Sequence, residues 1–183
     1  MSTVISILAC LIFLSTCLKL GFLSQRYTLG IGVAYAIFTW LVTPWVTELP
    51  GSWLTEFLAV RDNALNLSVC VTFEATILIA FCFESAGEGK QSLFRRIADK
   101  VLAYYPGLLL AGVIPYALQQ LLLHLPGVDF TWMQWGASLA VLVLIGAGTW
   151  LLKVLAGKPS QRFELLFILN LFIVILSVII TGD

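Results

Sequence analysis

Glu74 is the residue whose type and position could do chemistry in this chain. It is the eleventh of twenty residues in the apolar run from Ala64 to Phe83, and so falls near the middle of a segment long enough to cross a bilayer. A carboxylate at that depth costs about 2.5 to 3.5 kcal/mol to insert, which is why such residues face a bundle interior or a cavity rather than lipid. Asn63, Asn66 and Cys70 precede it by eleven, eight and four positions. At 3.6 residues per turn this spacing predicts roughly one shared face. The expected result is a polar stripe running from one membrane surface to the midplane, while the other half of the segment, with Ile77, Leu78 and Phe81, is apolar.

Two readings of Glu74 follow. In the functional one it takes up a proton or cation that arrives along the stripe. In the structural one a neutral Glu74 hydrogen-bonds to another helix. Asn170, in the last apolar run, is the partner expected from depth, and Gln119 and Gln120 lie nearer the surface.

Other chemistries lack their ligands or spacing. Cys10, Cys17, Cys70 and Cys82 all fall inside apolar runs and form no CxxC pair, so they read as small packing residues. The single histidine, His124, excludes haem held between two histidines of this chain, and no spacing suits zinc or an iron–sulfur cluster. No metal or cofactor is therefore expected. Phosphate-binding, metalloprotease and serine-hydrolase strings are missing. Gly30 and Gly32 are followed by Tyr35 where a dinucleotide loop would need a third glycine. They read instead as the small-residue pairs Gly30/Ala34 and Gly32/Ala36, which let helix backbones approach. The loops hold no convergent His, Asp and Ser, so an enzyme is the least expected class.

The elements that must position Glu74 are membrane helices. Of 183 residues 60% are apolar and 11% charged, and the mean hydropathy is +1.00, whereas soluble domains are about half apolar and ~25% charged. This balance excludes a soluble globular protein and equally a disordered chain. Six runs are long enough to span: Thr3 to Leu23, Tyr27 to Thr47, Ala64 to Phe83, Val101 to Leu123, Trp132 to Leu155 and Phe163 to Ile180. A barrel would need short alternating stretches, but Leu165 to Ile180 is apolar all round except at Asn170 and Ser177. The expected fold is an all-α integral membrane protein, one polytopic transmembrane domain over residues 1–183 with six transmembrane helices.

Orientation is read from Lys and Arg, which short loops retain in the cytoplasm. Lys19 and Arg26 flank the first turn. Lys90, Arg95, Arg96 and Lys100 lie between the third and fourth spans, and Lys153, Lys158 and Arg162 between the fifth and sixth, against Arg61 alone on the other side. Both termini are therefore expected outside the cytoplasm, in the inner membrane of the cell. The first span, with its positive charge after the apolar run, does not read as a standard signal peptide and is expected to stay in the mature protein. Trp40, Trp45, Trp53, Trp132 and Trp135 then gather at the outer interface, and Tyr27, Tyr104, Tyr105 and Trp150 at the inner one, as membrane anchors.

Two loops carry amphipathic patterns. Trp53, Leu54, Phe57 and Leu58 recur at helical spacing after the Pro50-Gly51 turn, and Leu93, Phe94, Ile97 and Val101 alternate with Arg95, Arg96 and Lys100. Both predict helices lying on the membrane surface, the second drawn to anionic lipid. Pro106 and Pro115 are expected to bend the fourth span. Leu18-Lys19 with Ser24 to Tyr27 resembles Leu152-Lys153 with Ser160 to Phe163, a faint likeness at turns where such residues are expected anyway.

Ten Lys+Arg balance ten Asp+Glu, so nucleic acid is not an expected partner. The partners expected are the lipid bilayer and other membrane subunits, met through exposed small pairs such as Gly30/Ala34 and Gly136/Ala140. The leading expectation is a non-catalytic membrane subunit of a larger, possibly ion-driven, inner-membrane complex. The alternative is a small proton-coupled transporter or channel built on Glu74.

Overall fold

A computed structural model of the chain describes residues 2–51, 53–86, 104–124, 127 and 129–182. The described residues form helices and no strands: α1 Ser2–Leu20, α2 Gln25–Glu48, α3 Trp53–Ala59, α4 Arg61–Ala86, α5 Leu109–His124, α6 Phe130–Leu155 and α7 Pro159–Gly182. Five of them, α1, α2, α4, α6 and α7, are long and apolar enough to cross a membrane. The amphipathic pattern after Pro50 forms the short helix α3, packed on α4. The basic pattern from Leu93 to Val101 lies outside the described residues.

The fourth expected span is corrected. The run from Val101 to Leu123 is not one continuous helix, because residues 105–107 are non-helical and α5 begins only at Leu109. Pro106 has no amide hydrogen to donate, and Gly107 adopts φ +88°, which a side chain would disfavour. Pro106 thus sits in the break before α5 rather than bending a helix, and Pro115 alone of the two is inside it. At 16 residues α5 reaches roughly 24 Å, short of a ~30 Å hydrocarbon core.

Helices α1 and α7 pack antiparallel. Near one end Leu8, Ile12 and Ile173 cluster with Val71, and near the other Leu18 meets Leu166 and Phe81. The start of α1 therefore lies beside the end of α7, and both termini occupy the same end of the bundle. The largest interfaces are α4 on α7 and α2 on α6; α1 touches α5, α6 and α7, and α5 touches α2.

Lipid gives helices little hydrophobic reason to associate, so close packing and interhelical hydrogen bonds do the holding. Ser68 and Ser177 share a hydroxyl bond of 2.7 Å between α4 and α7, and Ser6 and Tyr116 one of 2.6 Å between α1 and α5. Gly32 sits where a Cβ would come within 3.1 Å of Leu142, so its lack of a side chain sets the α2–α6 approach. Pro44 inside α2 cannot donate to the Trp40 carbonyl four residues earlier. Gln134 of α6 replaces it, its Nε2 donating to that oxygen at 2.8 Å, and Trp40 and Trp135 pair alongside at 6.2 Å between ring centroids.

At the opposite end basic residues cap helix C-termini. Arg162 donates to the carbonyls of Ala156, Lys153 and Gly21, and Lys153 to that of Leu23 at 3.1 Å. Cations suit these orphaned carbonyls at the negative ends of α1 and α6. The α1–α2 and α6–α7 turns are thus joined at one end, as their shared basic character implied. Lys19 departs from the expectation of a loop charge: it is in the last turn of α1, 1% exposed, with its ammonium over the Phe81 ring.

Candidate functional site

Glu74 lies midway along α4 and is 5% exposed, inside the bundle as the cost of its burial requires. Its Oε2 accepts the Leu109 amide at 2.8 Å and the Tyr105 hydroxyl at 3.2 Å. Leu109 is the first residue of α5. The Glu74 carboxyl therefore closes the N-terminus of a half-helix that starts in the interior.

The physical need is plain. The first amides of a helix have no intrahelical acceptor, hydrocarbon supplies none, and Leu108 at the capping position has an apolar side chain. A carboxyl from α4 fills the role that Ser, Thr or Asp plays in water-soluble helices. The helix also presents a partial positive charge of roughly half a unit at that end.

The break itself is held from three sides. The Tyr35 hydroxyl of α2 donates to the Gly107 carbonyl, and Thr16 of α1 lies on the other flank. A Cβ at Gly107 would stand 3.2 Å from Glu74 Oε1 and 3.5 Å from Thr16 Oγ1. The Thr16 hydroxyl donates back to the Ile12 carbonyl at 2.9 Å. Residues of α1, α2 and α4 thus surround the break at Gly107.

The expected stripe does not form. Asn66 and Cys70 are exposed, whereas Glu74 is buried. Four residues turn a helix by 400°, so each step of four drifts about 40° and Asn66 stands some 80° from Glu74. Asn63 keeps the heading but sits three turns away, where its amide donates to the Phe57 carbonyl at 3.1 Å and ties α4 to α3.

Asn170 is not the partner of Glu74. It is 1% exposed and bonds Ser15 of α1, its Nδ2 donating to Ser15 Oγ at 3.1 Å and to the Leu166 carbonyl at 2.7 Å. Gln119 donates to the Pro50 carbonyl at 2.9 Å, and the Gln120 carbonyl meets His124. Of the residues proposed around Glu74, the structure brings none of Asn63, Asn66, Cys70, Asn170, Gln119 or Gln120 to it. The groups that do reach it, the Tyr105 hydroxyl and the Leu109 amide, carry one sequence signal: the Pro106-Gly107 dipeptide, a turn former inside an apolar run.

Chemically, the site presents donors to a carboxyl. That arrangement can hold and exchange a proton, but it offers no second oxygen cage for a metal ion; among the described residues no cluster of three or more His, Cys, Asp or Glu occurs.

Fold and site define a multi-span, all-helical membrane protein with a short helix that starts at a buried carboxyl. Compared with known protein families, curated proteins and solved structures, the chain matches none.

Proposed function

We propose that this chain is a small proton-coupled membrane transporter or channel in which Glu74 is the proton-exchanging group. The observation that carries this reading is the half-helix α5, whose N-terminus begins at the buried Glu74 carboxyl. Discontinuous helices that meet a titratable group in the interior are a recurrent device of transporters, and an intramembrane carboxyl is a functional feature by default. A proton suits the site better than a metal cation, since among the described residues no cluster of three or more His, Cys, Asp or Glu gathers to hold a metal. The role is transport rather than catalysis.

The orientation proposed with it places both termini outside the cytoplasm and the basic turns inside, in the inner membrane. Nine Lys and Arg on one side against Arg61 on the other support that orientation.

The test is proton flux. The purified chain is reconstituted into vesicles holding a pH-sensitive dye, and a potassium diffusion potential is imposed. Wild-type vesicles change internal pH, while those with Glu74→Gln stay at the rate of empty vesicles. Equal flux in wild type and Glu74→Gln, or none in wild type at either polarity, would remove the reading.

A second reading, a non-catalytic subunit of a larger inner-membrane complex, is favoured by a separate observation. Gly30 with Ala34 on α2 and Gly136 with Ala140 on α6 are exposed, and a Cβ at Gly30 or Gly136 would meet nothing within 4 Å. Close approach by another helix suits such faces.

A further inference from the structure

Helices α5 and α6 follow one another in sequence yet make little direct contact, while α1 touches both. Toward the basic end of the bundle α1 and α6 are close: a Cβ at Gly148 would stand 3.1 Å from Cys17 Sγ and 3.5 Å from the Phe13 ring. From there toward the end holding the termini they diverge. The divergence leaves a wedge backed by Val113, Ala117 and Leu121 of α5, floored by Phe13, with Leu144 on the α6 side.

The wedge holds a groove of about 700 Å³, continuous through those residues with a cleft of about 260 Å³ between α5 and α6. Gln120 and His124 stand at one end of it, and the Ser6–Tyr116 hydroxyl pair crosses it part-way down, between His124 and Val113. The deep part, from Phe13 to Leu144, is apolar.

We infer that this wedge is a binding site for one acyl chain of a phospholipid from the leaflet on the termini's side, with the headgroup at His124 and Gln120. Length supports the assignment. From Val113 to His124 is eleven helical steps, roughly 16 Å, against about 15 Å for half a ~30 Å hydrocarbon core. Polarity supports it too, because Gln120 and His124 fall at the end of α5 where headgroups lie and Phe13 stands near the middle of α1.

A helix from a second protein, about 10 Å across and straight, cannot turn from the groove into the α5–α6 cleft. A single hydrocarbon chain is slimmer and flexible enough to follow the bend into the α5–α6 cleft. The Phe13 floor also ends the groove before Glu74, so the site is independent of proton exchange.

The experiment uses the chain purified in mild detergent and exchanged into mixed micelles with palmitoyl-oleoyl phosphatidylglycerol and phosphatidylethanolamine, read by native mass spectrometry. Wild type is expected to retain one phospholipid through detergent stripping. Ala117→Phe fills the back wall from an exposed position and is expected to lose it. Val69→Phe, exposed on α4, should keep it and controls for folding. Failure of wild type to retain lipid, or equal retention by Ala117→Phe, would overturn the assignment. So would a dimer that Ala117→Phe dissociates, which would make the wedge a protein interface.

Discussion

The Leu109 amide donates to Glu74 Oε2 at 2.8 Å across 35 positions of sequence, so the start of one membrane helix is fastened to the middle of another. This bond makes the short α5 possible, because it supplies the acceptor that hydrocarbon withholds from a buried helix end.

Replacing Glu74 separates holding α5 from exchanging a proton. Glu74→Gln keeps a carbonyl oxygen for the Leu109 amide and the Tyr105 hydroxyl, and should change the thermal midpoint in detergent little while abolishing proton flux. Glu74→Ala orphans a buried amide, at about 1 to 3 kcal/mol, and should lower the midpoint as well as the flux. Full flux with Glu74→Gln would reduce Glu74 to a structural cap.

Gly107→Ala should be destabilising although the change is one methyl group. Its φ of +88° disfavours a side chain, and the new Cβ would crowd Glu74 Oε1 at 3.2 Å. Backbone strain of this kind costs about 1 to 3 kcal/mol, to be read as a lowered thermal midpoint. The same substitution at Gly112, where a Cβ meets nothing within 4 Å, should raise or leave unchanged the midpoint, since alanine favours helix.

Asn170→Leu should weaken the α1–α7 contact without touching the Glu74 site. It leaves Ser15 without its interhelical partner, and interhelical hydrogen bonds in membranes contribute about 0.6 kcal/mol on average and up to ~1.7. A small fall in midpoint with proton flux per folded molecule unchanged is the expected pair of results. Loss of flux at full stability would place Asn170 in the proton route.

Gly30 and Gly32 are two residues apart and should respond oppositely. Gly32→Leu drives a side chain into Leu142, 3.1 Å from the new Cβ, and should disrupt the α2–α6 pair and the yield of folded monomer. Gly30→Leu meets nothing within the chain and should leave the monomer intact. If the subunit reading holds, it should instead release partners from the complex isolated in mild detergent.

A tag fused after Asp183 should be reachable by a membrane-impermeant label on intact cells whose outer surface has been opened. Labelling only after the inner membrane is permeabilised would reverse the orientation drawn from the basic turns.

Hydropathy revealed the spanning segments because the bilayer imposes a length and a polarity on anything that crosses it. Five helices match apolar runs within a few residues, and the burial of Glu74 followed from the cost of exposing a carboxyl to lipid. The short helix after Pro50-Gly51 was legible too, from apolar residues at helical spacing. Hydropathy reports polarity but not backbone direction, so Tyr105 to Leu109 read as continuous membrane helix even with Pro106-Gly107 inside it.

Partners across the bundle were decided by tertiary structure alone. Depth put Asn170 level with Glu74, but a helix carries several faces at each depth, and packing turned Asn170 toward Ser15, 155 positions away. The stripe through Asn66 and Cys70 failed because repeated steps of four drift around a helix of 3.6 residues per turn, a rotation that shows only once neighbours fix which face is buried. Lys19 counted as a loop charge by its place in sequence, yet its long apolar stem let the end of α1 draw it in beneath Phe81. Sequence determined that Glu74 must be inside; only the packing of α1, α2 and α5 around it determined that a helix begins there.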